Sequence, residues 1–530
     1  MSNVKYPIGI QTFSQIREND FLYVDKTDLI YKTARSGKYY FLSRPRRFGK
    51  SLTITTLQAL FEGKRELFKG LAIDSLEWDW HKHEVLHLDL NVRNYVDETS
   101  LLTIFDRHLR EWEEKYSIKP VSDIPEDRFI SIIKKGYEVT GRGVVILIDE
   151  YDKPILAAIG EPKLQSVYRK QLQGFYGVLK SMDQYIRFGM ITGVSRFSKV
   201  SIFSALNNLM DISLEPDFNS ICGITEKELT RYFGEGIQRM AERQRKTPEE
   251  IRELLKTNYD GYHFAEYGED IYNPFSLLNA FRTSRMGSYW LATGTTSSLL
   301  EVLNVNTYPL QELEGCKASE NMLNGADIFL TDPVPFFFQT GYLTIKDYDP
   351  EFEQYILGLP NKEVSKGFND LVLRTWMRAG EPATYVSDFV RDVRAGKAED
   401  FMEKIKYFFA GIPYDHAKDG KVSGENEYGI SGSKEVHYQN VLYVIMKLMG
   451  FYTNTEYRTS SGRIDMVVQT QDYVYVMEFK IDSTAQSALD QIEERGYAEP
   501  FRITGKKIFK IGANFDTKTR RLSDFIISEG

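Results

Sequence analysis

The segment SRPRRFGKS, residues 43–51, constrains this chain more than any other, because it lies between an apolar strand-like run, YYFL, and a helix-like run, SLTITTLQALF. A strand, a loop and a helix with Gly-Lys-Ser at the turn can point successive backbone N–H groups at a phosphate, reach it with an ammonium and offer a hydroxyl to Mg2+. Gly49, Lys50 and Ser51 supply these groups, and Arg46 and Arg47 of the same loop are counted with them as nucleotide-binding residues. The first glycine of the G-x-x-x-x-G-K-[ST] pattern is missing. Arg44 takes its place beside Pro45, so the loop is expected to turn differently or to carry strain that glycine would avoid.

A second segment completes the pattern. VVILIDE, residues 144–150, is a continuous β-branched run suited to a strand buried on both faces, and it ends in two carboxylates. Asp149 is expected to hold Mg2+ with Ser51, and Glu150 to polarise the water that attacks the terminal phosphate. After IRFGMITG, Ser195 and Arg196 stand where a strand tip could sense that phosphate, an arginine fork being suited to bridging its oxygens. An ordinary surface arginine is the competing reading. His81, His83 and His87 lack both cysteine partners and HExxH spacing and are read as structural.

Along the chain, β-rich runs alternate with amphipathic segments from residue 39 to about 215, as in a parallel sheet with crossover helices. From about 225 to 405 most segments look helical, with Pro248 as a helix-start proline. After the Gly- and charge-rich stretch at 419–434 the expected order is one helix, two strands, a helix and a final strand. The resulting organisation is an α/β nucleotide-binding domain over 1–215, a helical lid and connector over 216–405, and a second α/β domain over 406–530. With 530 residues, 42% hydrophobic and 27% charged, and a net charge of −8, the chain is neither disordered nor broadly basic. Two cysteines far apart exclude a disulfide scaffold, and no apolar run approaches the ~20 residues of a membrane helix, so the expectation is a cytoplasmic protein with no membrane partner.

The C-terminal part carries its own chemistry. In GRIDMVVQTQDYVYVMEFKID, strand alternation puts Val474, Val476, Glu478 and Lys480 on one face and Tyr473, Tyr475, Met477 and Phe479 on the other. Asp465 and Glu478 could share one Mg2+, with Lys480 orienting a water or stabilising developing charge, which is the chemistry of phosphodiester hydrolysis. Glu435 lies at the end of an apolar helical stripe, a costly place for a carboxylate without a partner. Gln491 and Tyr497, downstream, could bond or stack on substrate. A plain hairpin with a salt bridge remains the alternative. The closing run from Arg502 to Arg521 is basic, either as a solvated face or as a contact surface for a phosphate backbone.

These residues resemble the bacterial family of AAA-ATPase-like proteins with a C-terminal PD-(D/E)XK nuclease-like domain. YVDKT at 23–27, SRPRRFGKS, LIDEYDKPI and TGVSRFSKVSIFSALNNL look like its signatures in that order, and RIDMVV, EFK and the Gln-Tyr helix look like its nuclease-type end. The arginine at the first glycine position belongs to the family pattern. The resemblance implies a P-loop NTPase sheet, a helical lid and a restriction-endonuclease-like domain, with ATP and Mg2+ as cofactors. It carries Glu435, Asp465, Glu478 and Lys480 over as nuclease residues, with Gln491 and Tyr497 beside them. Asp25 and Lys26 of YVDKT could touch nucleotide or cap the following helix. Two functional classes follow: an ATPase coupled to cleavage of nucleic acid, with DNA the expected substrate and association of copies through the ATPase domain, or a nucleotide-controlled signalling or binding switch that holds nucleic acid without cutting it.

Overall fold

The computed structural model describes residues 4–530 except 92–93, 197–202, 204–205, 207, 294–298, 300–301, 303–307, 325–331, 377–381, 412–433, 451–452, 458–465, 517 and 520. The chain divides into two compact units, one of Met1–Val302 with Leu313–Val364 and one of Leu303–Glu312 with Ser365–Gly530. Residues read as lid and connector fall in both units.

The first unit is built on five parallel strands, β1 (Tyr39–Ser43), β2 (Val85–Asp89), β3 (Val144–Asp149), β4 (Ile186–Gly193) and β5 (Leu209–Asp211), in the order β2-β3-β4-β1-β5. All six residues of β3 are buried, as a β-branched strand covered on both faces requires. The helix Lys50–Phe61 covers the sheet with Ile54, Leu57, Leu60 and Phe61. Among the helices Ser100–Tyr116, Pro125–Thr140 and Pro162–Ser181, Phe105, Phe175 and Phe129 stack at 4.1 and 4.5 Å. The register pairs Ser43 with Gly193 and Asp89 with Asp149, so the carboxyl ends of β1, β3 and β4 share one edge, where open parallel sheets form their ligand crevice.

Two capping boxes, Thr225 with Glu228 and Thr247 with Glu250, start the helices Glu226–Gln244 and Pro248–Tyr259, with Pro248 in the first turn. The middle of the chain is not wholly helical, however. Strands β6 (Lys317–Ser319), β7 (Thr344–Asp349) and β8 (Gln354–Gly358) form an antiparallel sheet in the order β6-β8-β7. Strands of three to six residues offer too few alternations to stand out in sequence.

In the second unit, β9 (Asn454–Tyr457), β10 (Met466–Gln469), β11 (Tyr473–Ile481), β12 (Lys507–Asp516) and β13 (Arg521–Glu529) form a mixed sheet in the order β13-β12-β11-β10-β9, with β11 and β12 parallel. The expected order lacked β9 and β13. Both are edge strands: β13 reads RLSDFIISE, and charges along an exposed edge disguise a strand as a solvated run while protecting it from pairing with other chains.

Arg44 is an internal brace of the first unit. Its buried guanidinium donates to the carbonyls of Ser43 (2.9 Å), Ser213 (2.7 Å), Phe218 (3.1 Å) and Asn219 (3.5 Å), and lies 4.3 Å from the ring centre of Phe264. Burial pulls its pKa down to about 10, so the carbonyl cage is the arginine's replacement for water. Arg44→Met should leave several buried carbonyls without a donor and cost about 3 kcal/mol or more in denaturant unfolding. Arg44→Lys should fail to restore it, because a lysine lacks the planar fork.

Candidate functional site

The phosphate-type loop turns at two left-handed residues, Arg47 (φ 67°) and Gly49 (φ 105°), the second capping the helix Lys50–Phe61. The strain expected at Arg44 therefore lies elsewhere: Arg44 keeps a negative φ and turns its side chain into the carbonyl cage, away from the loop. Lys50 is 3% exposed and folds over its own loop, donating to the carbonyls of Arg44 (3.0 Å) and Pro45 (3.2 Å), with Glu150 Oε1 at 3.7 Å. A cavity of about 330 Å³ opens here, lined by Arg46, Arg47, Gly49, Lys50, Ser51, Glu150 and Lys153 and walled by residues 7–11 and Phe275. An apolar chamber of about 100 Å³ shares Pro7, Gly49, Leu52, Pro274 and Leu278 with it and adds Tyr23, Val24, Ile221 and Cys222. A polar, cationic compartment thus adjoins an apolar one across the glycine of the loop.

The acidic strand tip is held from below. The buried carboxylate of Asp152 accepts from the backbone N–H of Val194 (3.1 Å) and Ser195 (2.6 Å) and from the Ser195 hydroxyl (2.6 Å). Burial raises its pKa, with the nearby Glu150 charge adding to the effect. A Cβ on Gly193 would meet Tyr151 at 2.5 Å and Asp152 at 2.6 Å, so only glycine lets this turn lie against β4. Glu150 takes φ 55° and reaches the cavity, whereas Asp149 is buried and accepts from the Thr192 hydroxyl at 2.6 Å. Ser195 is thereby committed to Asp152. Arg196 pairs with Asp211 at 2.6 Å in a buried ion pair and does not line the cavity.

Asp25 of YVDKT accepts from the N–H and hydroxyl of Thr27, the first residue of the helix Thr27–Ser36, and also from Ala72 N–H. Lys26 lines the apolar chamber and pairs with Glu228 at 2.7 Å. A distant clamp also holds the loop. The Trp290 indole N–H donates to Arg46 O (3.0 Å), and Trp290 N–H donates to Glu363 Oε1 (2.8 Å). Burial pushes the Glu363 carboxyl up to about 7.

In the second unit, Glu478 and Lys480 project from β11 toward the helix Ala485–Glu494 and meet Gln491 there. Gln491 donates through Nε2 to Glu478, and Lys480 donates to Gln491 Oε1, with Lys480 3.7 Å from Glu478. Val474 and Val476 of the same face pack with Leu489, Ile492 and Tyr497, which places Tyr497 in the core at 7% exposure. The opposite face carries Tyr475, stacked 5.1 Å from Phe509. Asp465 lies outside the described residues. Glu435 belongs to the helix Lys434–Gly450, and its side chain lies outside them as well. Of the basic closing run, Lys507 pairs with Glu529 and Lys510 with Glu493.

Sequence reasoning gave no role to Lys153, Asp152, residues 7–11 or Trp290. Asp152 and Lys153 stand in LIDEYDKPI, two and three residues past the acidic pair, where the spacing could have marked them; nothing local marks Trp290.

Glu363 generates a pH prediction. Its folded pKa, near 7, lies above the ~4.3 of an unfolded glutamate, so its stabilisation is complete below ~4.3 and lost as pH rises through about 7. Relative to Glu363→Gln, the wild type should lose up to about 3 kcal/mol between pH 4 and pH 8, read from paired unfolding curves. A constant difference would contradict the assignment.

Comparison with known proteins agrees with this architecture. Residues 7–203 match the family described as Predicted AAA-ATPase, and residues 433–525 match the PD-(D/E)XK nuclease superfamily. The chain is 35% identical over 536 residues, spanning 99% of each protein, to a protein of Azotobacter chroococcum mcd 1 described as "Uncharacterized protein in vnfD 5'region". No helix among the described residues is long and apolar enough to cross a membrane. With both family segments in the order the two sites require, the chain belongs to the AAA-ATPase-like proteins that carry a C-terminal PD-(D/E)XK nuclease superfamily domain.

Proposed function

We propose that the protein binds and hydrolyses ATP at the loop cavity and, in its C-terminal domain, hydrolyses phosphodiester bonds of nucleic acid, with DNA the expected substrate and nucleotide state controlling cleavage. The observation that carries the first half is the cavity bounded by Lys50, Ser51 and Glu150, joined at Gly49 to an apolar chamber suited to a base. Ser51 offers the hydroxyl oxygen that Mg2+ prefers, and an ion held there would neutralise phosphate charge, with Glu150 kept for the attacking water. Glu150 accepts the proton of a water whose oxygen bonds to the terminal phosphorus, while the bridging oxygen leaves with its electron pair on ADP. Lys50 exchanges its two loop carbonyls for phosphate oxygens.

The second half rests on the Glu478, Gln491 and Lys480 cluster. A buried carboxylate beside an ammonium, both tied to one amide, keeps the two charges at a fixed spacing. Glu478 would hold Mg2+ with Asp465, the ion polarising the phosphodiester, and Lys480 would stabilise the charge that develops on phosphate. Gln491 aligns the pair.

Lys50→Ala should weaken ATP binding by about a hundredfold or more, whereas Glu150→Gln should keep affinity and lower turnover by about a hundredfold. Equal affinity in Lys50→Ala would remove the nucleotide site. Glu478→Ala and Lys480→Ala should each abolish Mg2+-dependent cleavage while leaving ATP affinity unchanged, measured on the full chain with duplex and single-stranded substrates. Wild-type protein that binds nucleic acid in a salt-dependent way but never cuts it would favour the non-cleaving switch.

A further inference from the structure

The cavity holds more positive charge than the loop motif accounts for. Arg46, Arg47, Lys50 and Lys153 face it against one carboxylate, Glu150, leaving a formal charge of 4 − 1 = +3. Among these, Lys50 is engaged with the carbonyls of Arg44 and Pro45. Arg47 lies with its guanidinium carbon 5.1 Å from the Phe275 ring centre. The Lys153 ammonium has no hydrogen-bond or ion-pair partner among the described residues, although the side chain is half-buried.

Lys153 lines the cavity beside Glu150. Its backbone N–H donates to Glu150 O at 3.0 Å, closing a turn that joins it to the acid lining the same cavity. The preceding residue, Asp152, is the buried carboxylate that pins the turn to Val194 and Ser195. Glu150 and Lys153 are therefore presented together by one anchored turn. Burial lowers the Lys153 pKa and the nearby Arg46 charge lowers it further, a state that an anion would relieve. Arg196, which the sequence puts forward as the phosphate sensor, is occupied in its buried pair with Asp211.

We propose that Lys153 contacts the terminal phosphate of a bound nucleoside triphosphate, supplying from the acid-bearing turn the cation that distinguishes triphosphate from diphosphate. The inference rests on the nucleotide reading of the cavity. A cation on that turn would couple loss of the terminal phosphate to the position of Glu150 and of the strand tip beneath it.

The test is a titration of the full chain, in Mg2+, with fluorescent ADP and with a fluorescent non-hydrolysable ATP analogue, for wild type, Lys153→Met, Lys153→Gln and Lys153→Arg. Lys153→Met should keep ADP affinity within about twofold and weaken the ATP analogue by about tenfold, with Lys153→Arg recovering most of the difference. Lys153→Gln carries the same expectation and replaces Lys153→Met if that variant does not fold. Unchanged affinity for both nucleotides, or an equal loss for both, would overturn the proposal. Failure of wild-type protein to bind either nucleotide would instead overturn the reading on which it stands, a result visible without any variant.

Discussion

The carboxylate of Asp152 joins the tips of β3 and β4. It takes two backbone N–H groups and one hydroxyl from Val194 and Ser195, and the absence of a side chain at Gly193 allows the close approach. A buried charge of this kind is tolerable only when its lone pairs are filled, so the turn from Glu150 to Lys153 has one arrangement. Glu150 and Lys153 take their positions from it. The loop across the cavity is fixed by separate means: Arg44 holds its base through carbonyls, and Trp290 holds Arg46. The cavity thus lies between two independently anchored walls, with Lys50 folded back onto the carbonyls of its own loop.

The second unit uses the same device in different chemistry. Alternation along β11 turns two valines and then two charged residues toward one helix, so the apolar part of the interface seals the face on which Glu478 and Lys480 emerge. Gln491 is on that helix because Leu489 and Ile492 already face the sheet. A single strand and a single helix thereby set the spacing of acid, amide and ammonium.

The five parallel strands, the Gly-Lys-Ser turn and the acidic strand end were legible in sequence because each signal is local: a period of two, a buried β-branched run, and a three-residue motif. Signals that depend on distance in the chain were not. Trp290 meets a carbonyl 244 residues away, and the pairing of Arg196 with Asp211 depends on β5 lying beside β1. Arg44 was read as a possible source of strain because the motif compares it with glycine, whereas its guanidinium answers to Ser213 and Phe218, which the motif does not contain. Tyr497 was legible as an aromatic near the substrate face, yet its neighbours Val474 and Ile492 make it part of the packing. Edge strand β13 escaped because solvent-facing charges mask its alternation, and β9, at four residues, is too short to show one.

The central claim is that one anchored cavity at the carboxyl edge of the parallel sheet receives the nucleotide. Amide hydrogen exchange of the full chain with and without Mg2+-ADP tests it most directly. The account predicts slowed exchange concentrated at residues 46–52 and 8–11, the loop and the segment that wall the cavity. Protection confined to other parts of the chain, or no change at saturating nucleotide, would contradict it.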